Sequence, residues 1–378
     1  MVVLLIISYS SVSLVTLTSD VYSDYGENIA LEVGIIGMPL LILGIALLLQ
    51  VVIALSGMRA AKILTWSSSS LDLTAALVHH TQLTPVLLRC MRSVSDFDVD
   101  GGPTRPSETQ PSAWHAHPSI RKVINSLWAL VIACAGWGAL VLYIHNTYES
   151  YTGTLTWKSW SFFPDDQNSL YSLRYPLLLT GGPSPWWILT YVNLAIIQGP
   201  LTLCLHCSEL IANVIRDEGQ WRCGTGQKGM TPAMNPLKSV IVNPLCLALF
   251  IAKPALHWVF GLCFVLYGVI YRIDTNNSDV IFVAAGNGMN MYPMQCYLCS
   301  PVFTLVALRQ RRGPQPAAYG HLQILANLVD EWAPVMWWGH KEDGIPYCHA
   351  GTSGQVLPAV KMDCVYAGIS VGSHPSVS

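Results

Sequence analysis

The run Val33–Leu55 carries 23 residues without a single charge. About 20 apolar residues suffice for a helix to cross the hydrocarbon core of a bilayer. In lipid, every backbone N–H and C=O must be paired inside the protein, so such a chain is restricted to helices or a closed barrel. Gly34, Gly37 and Gly44 give this run small faces for close helix contact. Pro39 predicts a kink near its start. Arg59 and Lys62 follow at once and mark a cytosolic end.

The rest of the chain repeats this pattern. Hydrophobic residues make up 52% and charged residues only 11%, against roughly 25% charged in a soluble domain. Further apolar runs are Val2–Thr18, Val123–His145, Trp186–Ile211, Val240–Tyr271 and Val280–Leu308. The first is short and rich in Ser and Thr; it reads as a first span, with a cleaved signal as the alternative. Val240–Tyr271 is too long for one straight span and is interrupted at Lys253-Pro254. Either one helix enters after that break, or two half-helices meet there. Val280–Leu308 reads as broken or re-entrant at Gly286-Asn287-Gly288, with Met289–Leu308 long enough to cross alone.

Cation placement orients the layout. Of the 20 Lys and Arg residues, only Lys158, Arg174 and Arg272 fall in outward connections, and Lys253 falls within a span. All others lie on the cytosolic side, as the positive-inside rule requires. The expected fold is all-α: a polytopic transmembrane bundle of about five or six helices with a partly helical, cytosolic C-terminal tail. It divides into N-terminal spans (1–56), a cytosolic loop (57–122), a transmembrane bundle (123–312) and the tail (313–378). Within the loop, Leu71–Val94 is expected to lie on the membrane surface as a helix broken at Pro85. Asp98–Ser119, rich in Pro, Gly, Ser and Thr, is expected to be a disordered linker. The outward loop Asn146–Pro185 is dense in aromatic residues, which settle at membrane interfaces. Asn276-Asn277-Ser278 is a glycosylation sequon in an outward turn.

The eleven cysteines all fall in spans or on the cytosolic side, so they read as reduced thiols rather than a disulfide framework. A net charge of −2 supplies no basic field for nucleic acid. The expected partners are the lipid bilayer and a protein bound at the cytosolic tail.

The stretch Trp186–Arg222 carries the candidate site. It reads as a span that continues into water as one helix. His206, Glu209 and Asn213 are spaced i, i+3 and i+7 and share a face, which Arg216 or Asp217 extends. A polar stripe that begins inside a span must face protein or water. One reading is a relay or substrate stripe in a transporter-like bundle that uses Glu209 and Lys253. Another is a membrane enzyme with His206 and Glu209 as an acid/base pair. The third is a helix leaving the bilayer, its polar face packed against the first cytosolic loop; this is the leading one. Lys253 needs a partner, for which Glu209 is the candidate, or a path to the headgroups. Cys204-Leu205-His206-Cys207 and Cys296-Tyr297-Leu298-Cys299 are both C-x-x-C pairs, but their depths differ in this layout, so they read as packing thiols. No phosphate-binding loop, dinucleotide fingerprint, nucleophile elbow or zinc-protease helix occurs, and no cofactor is expected.

The tail is too apolar to be disordered. Ala317–Trp332 has helical spacing, with Leu322, Leu325, Leu328 and Val329 on one face. His340, Cys348, His349 and Cys364 are zinc-ligand types in a spacing that fits no common pattern. Three stretches carry a resemblance: Leu205-His206-Cys207-Ser208-Glu209-Leu210, the run from Arg312-Gly313-Pro314-Gln315-Pro316 to Gln323, and Trp338-Gly339-His340-Lys341 with His349-Ala350-Gly351-Thr352-Ser353 and Lys361-Met362-Asp363. Together they resemble segments of fungal multi-pass membrane proteins with no assigned activity. The resemblance covers about half the chain, chiefly from Trp186 onward. It implies a membrane location and transfers no catalytic residue. The expected role is therefore structural or partner-binding.

Overall fold

The computed structural model describes residues 1–22, 28–61, 63–96, 101–148, 172–177, 186–233, 235, 240–275, 278–290 and 299–368. Helix is the dominant secondary structure. Among the described residues, two helices are long and apolar enough to cross a membrane, Gly37–Ala60 and Leu194–Thr225. The chain divides into two compact units. One comprises Met1–Ala61, Ser126–His206 and Ile251–Ser300; the other comprises Lys62–Asn125, Cys207–Phe250 and Pro301–Ser378.

The first unit opens with α1 (Val2–Leu14), β1 (Thr16–Tyr22), β2 (Asn28–Ile35) and α2 (Gly37–Ala60). Thirteen residues of helix measure about 20 Å, so α1 alone falls short of a bilayer. Its serines donate back to carbonyls one turn earlier, Ser8 to Leu4 and Ser11 to Ile7, both at 2.7 Å. The Gln50 amide of α2 bonds Leu4 O and Ser8 Oγ, and Ile36 N–H bonds Val15 O. Those contacts set α1 and α2 antiparallel. Only Pro39 and Ala46 of α2 are buried. Leu41, Leu48, Val51 and Ile53 point outward. A helix apolar on every side is suited to lipid, because in water that surface would cost roughly 25 cal/mol per Å².

The sheet of this unit is a departure from the helical expectation. Its order is β2-β1-β5-β6-β4, where β4 is Ser172–Leu177, β5 is Phe264–Thr275 and β6 is Ser278–Asn290. The β1–β5 pair is parallel and the others are antiparallel. The apolar run from Val240 therefore changes state partway. Pro244–Cys263 is a helix that carries Lys253-Pro254 inside it without a break. Phe264 onward is strand, where the β-branched and aromatic series Phe264-Val265-Leu266-Tyr267-Gly268-Val269-Ile270-Tyr271 packs better on a pleated surface. Hydropathy alone cannot separate these two states. Gly286-Asn287-Gly288, expected as a helix break, lies in β6. The sequon asparagines 276 and 277, and the outward loop apart from residues 146–148 and 172–177, lie outside the described residues.

The long helices are α5 (Pro118–Tyr148) and α6 (Trp186–Arg222). The two units divide within α6, between His206 and Cys207. Leu14, Leu194, Leu201 and Leu205 form an apolar cluster in the first unit, with Tyr191 and Leu256 against it.

The second unit contains α3 (Ser70–His79), β3 (Thr109–Gln110), α4 (Ala113–Ala116), β7 (Arg311–Arg312), α9 (Leu322–Leu328), β8 (Trp337–Glu342) and β9 (His349–Ser353). Two further helices are α7 (Pro244–Cys263) and α8 (Cys299–Leu308). The core of the second unit holds Leu71, Ile124, Ile211, Trp221, Met230, Ile324, Leu325, Leu328, Met336 and Tyr366. The surface helix is shorter than expected and stops at His79. The described part of the Pro/Ser-rich stretch expected to be disordered, residues 101–119, is packed here instead. Thr109-Gln110 pairs with Arg311-Arg312, Gln110 and Ser112 are buried, and Tyr319 donates to Pro111 O at 2.9 Å. Composition predicts disorder only when a segment has nothing to pack on; here Arg311-Arg312, just before the tail, supplies the second strand. Helix α9 is capped by His321, whose Nδ1 accepts from Ile324 N–H. The helix is shorter than the expected 317–332, covering Leu322–Leu328 with Val329 already in extended backbone; of the expected apolar face Leu325, Leu328 and Val329 are buried, and Leu322 is half-buried.

Candidate functional site

The polar half of α6, within the second unit, is packed. Arg216 Nη2 donates to Ser68 O at 2.8 Å and pairs with Asp217. Gln220 accepts from Ser69 Oγ and donates to Thr231 O. Glu218 is fully buried. One of its oxygens takes Arg222 Nε at 2.7 Å; the other accepts from Ala318 and Tyr319 N–H at 2.9 and 2.8 Å. A buried carboxylate is tolerable only when paired and hydrogen-bonded in this way. Trp221 donates to Pro316 O at 2.7 Å, and Gln315 returns a bond to Trp221 O at 2.8 Å. Burial and the Glu218 charge push the Tyr319 phenol up to about 12, so it remains a donor at any physiological pH.

The candidate residues are spread over the two units. His206 lies in the first, where Lys253 Nζ comes within 3.4 Å of its Nδ1. Glu209, Asn213 and Arg216 lie in the second. Glu209 is exposed, Asn213 is half-buried, and Arg216 is held by Ser68 and Asp217. Glu218 and Trp221 were missed by the sequence reading. Their signal was a continued helical period past Arg216, with two large or charged side chains on the face turned toward the rest of the chain.

A second polar cluster centres on the β8–β9 hairpin. Asp330 Oδ1 accepts from Thr352 N–H at 2.7 Å, and Oδ2 takes His349 Nε2 at 2.8 Å and Lys341 Nζ at 3.0 Å. Burial alone would raise the Asp330 carboxyl, but these donors outweigh it and hold it at about 2. His349 is the mirror case. Burial disfavours its charge, yet the Asp330 hydrogen bond and the neighbouring Cys90 thiol lift it to about 9. Gly351 packs so closely on Asp330 that a Cβ there would sit 2.5 Å from both carboxylate oxygens. Beside this cluster, Tyr366 OH accepts from Lys361 N–H at 3.0 Å and shares a hydrogen bond with His340 Nδ1 at 2.9 Å. The other ring nitrogen of His340, Nε2, lies 3.1 Å from Asp343 Oδ1.

His349 is committed to Asp330, and His340 to Tyr366 and Asp343. Among the described residues no group of three or more His, Cys, Asp or Glu is placed to hold an ion. Cys90, Cys204, Cys207, Cys223, Cys246, Cys348 and Cys364 are in no disulfide. Cys296, half of the second C-x-x-C pair, lies outside the described residues.

Two cavities belong to the second unit. One of about 240 Å³ is lined almost wholly by apolar groups, including Ile120, Leu210 and Ile211. The other, about 530 Å³, lies between the loop after α6 and the start of β8, with Arg222, Gln315 and Trp338 in its walls. No protein-family model, no curated protein and no solved structure matches this chain.

Proposed function

We propose that the chain is an integral membrane protein, a polytopic bundle whose C-terminal domain faces the cytosol and acts as a structural or partner-binding module. The observation that carries this reading is the filled polar face of α6. Arg216, Glu218, Gln220 and Trp221 are spent on loop 65–70, residues 231–232 and the tail segment 315–319. A helix that commits these groups to holding a domain together has a scaffolding use for them. The apolar, outward-facing surface of α2 and the one-sided distribution of cations support the membrane placement. The likeness to fungal multi-pass membrane proteins points the same way. Reporters fused after Arg312 and inserted within residues 146–185 should land in opposite compartments, the first cytosolic. A shared compartment would refute the proposed orientation.

A second reading, a transporter-like bundle, is favoured by one contact, Lys253 with His206. It replaces the Lys253–Glu209 pair with Lys253–His206 as the polar element of the spans. If the two side chains act together, Lys253→Ala and His206→Ala should each lower the yield of folded protein, and the double variant should lose no more than the worse single one. Strictly additive losses would remove this reading.

A further inference from the structure

Two thiols meet in the second unit, beside the β8–β9 hairpin. Cys348 is buried just ahead of β9, Cys364 is half-buried after the turn at Met362-Asp363, and their side chains are hydrogen-bonded to one another. The backbone brings them together. Cys348 N–H donates to Val365 O at 2.9 Å, and Ala367 N–H donates to Cys348 O at 3.2 Å. Cys348 is bridged in parallel to Tyr366, the second residue after Cys364. Tyr366 in turn exchanges backbone bonds with Thr104 at 2.8 and 2.9 Å. Lys361 and Tyr366 each lie close to both thiols. Asp343 Oδ1 accepts from Cys348 Sγ at 3.7 Å, and Lys361 Nζ holds the same carboxylate at 2.6 and 2.7 Å. A thiol that serves only packing behaves as a small apolar group. These two sit beside an ammonium, a carboxylate, a phenol and each other.

We propose that Cys348 and Cys364 are a modification site, an oxidisable pair that a peroxide joins as a disulfide, stapling the segment Cys364–Ala367 to the start of β9. In the reduced chain, desolvation and the adjoining Cys348 thiol raise the Cys364 thiol above its ordinary value, so the pair rests as a dithiol. The Lys361 ammonium favours the thiolate once a proton leaves. Cys364, the more exposed of the two, meets the oxidant first. Its thiolate attacks one peroxide oxygen; an S–O bond forms, the O–O bond breaks, and the leaving hydroxide takes a proton to become water. The Cys348 sulfur then attacks the sulfenic sulfur; the S–S bond forms, the S–O bond breaks, and the Cys348 proton leaves in a second water. Two electrons pass from the sulfurs to the peroxide, so two thiols and one hydrogen peroxide give one disulfide and two waters. The inference goes beyond the structural role proposed above and does not depend on it.

The test uses the full-length, detergent-solubilised protein and hydrogen peroxide, at a dose that fully oxidises the exposed thiol of Cys223. Remaining thiols are alkylated and the chain is digested without reductant by trypsin, which cleaves after Lys341 and Lys361. Peptides 342–361 and 362–378 should be recovered joined, two hydrogens lighter than their sum, and dithiothreitol should separate them. In Cys364→Ser the join should vanish. Oxidised wild type should melt about 5–10 °C above the reduced protein, and Cys364→Ser should show no gain. Recovery of Cys348 and Cys364 as alkylated thiols at that dose, or of Cys348 joined to a different cysteine, overturns the proposal. A joined pair with no gain in Tm overturns the stapling role. Each of these outcomes leaves the reporter orientation test untouched, so failure here is distinct from failure of the membrane reading.

Discussion

The Asp330–His349 pair makes the sharpest prediction. Asp330 is held at about 2, below its ordinary 3.8. A depressed carboxyl stabilises the fold above its unfolded pKa, and that contribution is lost as pH falls from 3.8 through 2. His349 is lifted to about 9 from its ordinary 6.5. A raised imidazole stabilises fully below 6.5, and its contribution is lost as pH rises through 9. Converted at 1.36 kcal/mol per unit, the Asp330 shift corresponds to about 2 kcal/mol and the His349 shift to about 3 kcal/mol. The two describe one interaction and are not summed. The Cys90 thiol contributes to the His349 shift alone, so about 2 kcal/mol is the better figure for the pair. Stability of the second unit should therefore be greatest between about pH 4 and 6.5. In a domain of this size, 2 kcal/mol is about 4–8 °C in Tm. The assay is thermal unfolding of the detergent-solubilised chain from pH 6 to 10, for wild type and Asp330→Asn. Wild type should lose those degrees across the range. The variant should start lower and show a flat profile over the same interval. An Asp330→Asn profile parallel to wild type would mean that Asp330 does not hold the His349 proton, and the argument would fail.

Three further outcomes follow. Glu218→Ala strands the Arg222 guanidinium and the N–H groups of Ala318 and Tyr319. It should cost about 3–5 kcal/mol, read as protease cleavage between residues 313 and 321 that wild type resists. Gly351→Ala places a methyl 2.5 Å from the Asp330 oxygens and should reproduce the Asp330→Asn pH profile, whereas Gly44→Ala, with nothing within 4 Å, should leave Tm unchanged.

Much of the helical architecture was legible because its signal is local. A run such as Gly37–Ala60 needs no partner to declare itself; twenty-four residues with nearly all side chains facing outward specify a lipid-compatible helix by composition alone. The apolar face of α9 was equally readable from its spacing. The strands were not. Phe264–Thr275 and Ser278–Asn290 are as apolar as a span, and only their pairing with one another and with β1 decides for sheet. The linker around Thr109 was misread for the complementary reason. Its partner, Arg311-Arg312, lies some two hundred residues away, and no local pattern reports such a contact.

The site divides along the same line. Spacing put His206, Glu209, Asn213 and Arg216 on one helix face, and helical period is an intrinsic property of the chain. Tertiary structure alone determined that Arg216 grips Ser68, that Glu218 rather than Glu209 is the buried acid, and that Lys253 meets His206. It also determined that His349 answers to Asp330. Apolar length and charge order are written in the chain because lipid and water act on each segment separately. Which polar groups meet depends on distant backbone being brought within about 3 Å, where hydrogen bonds form, and that is a property of the folded whole.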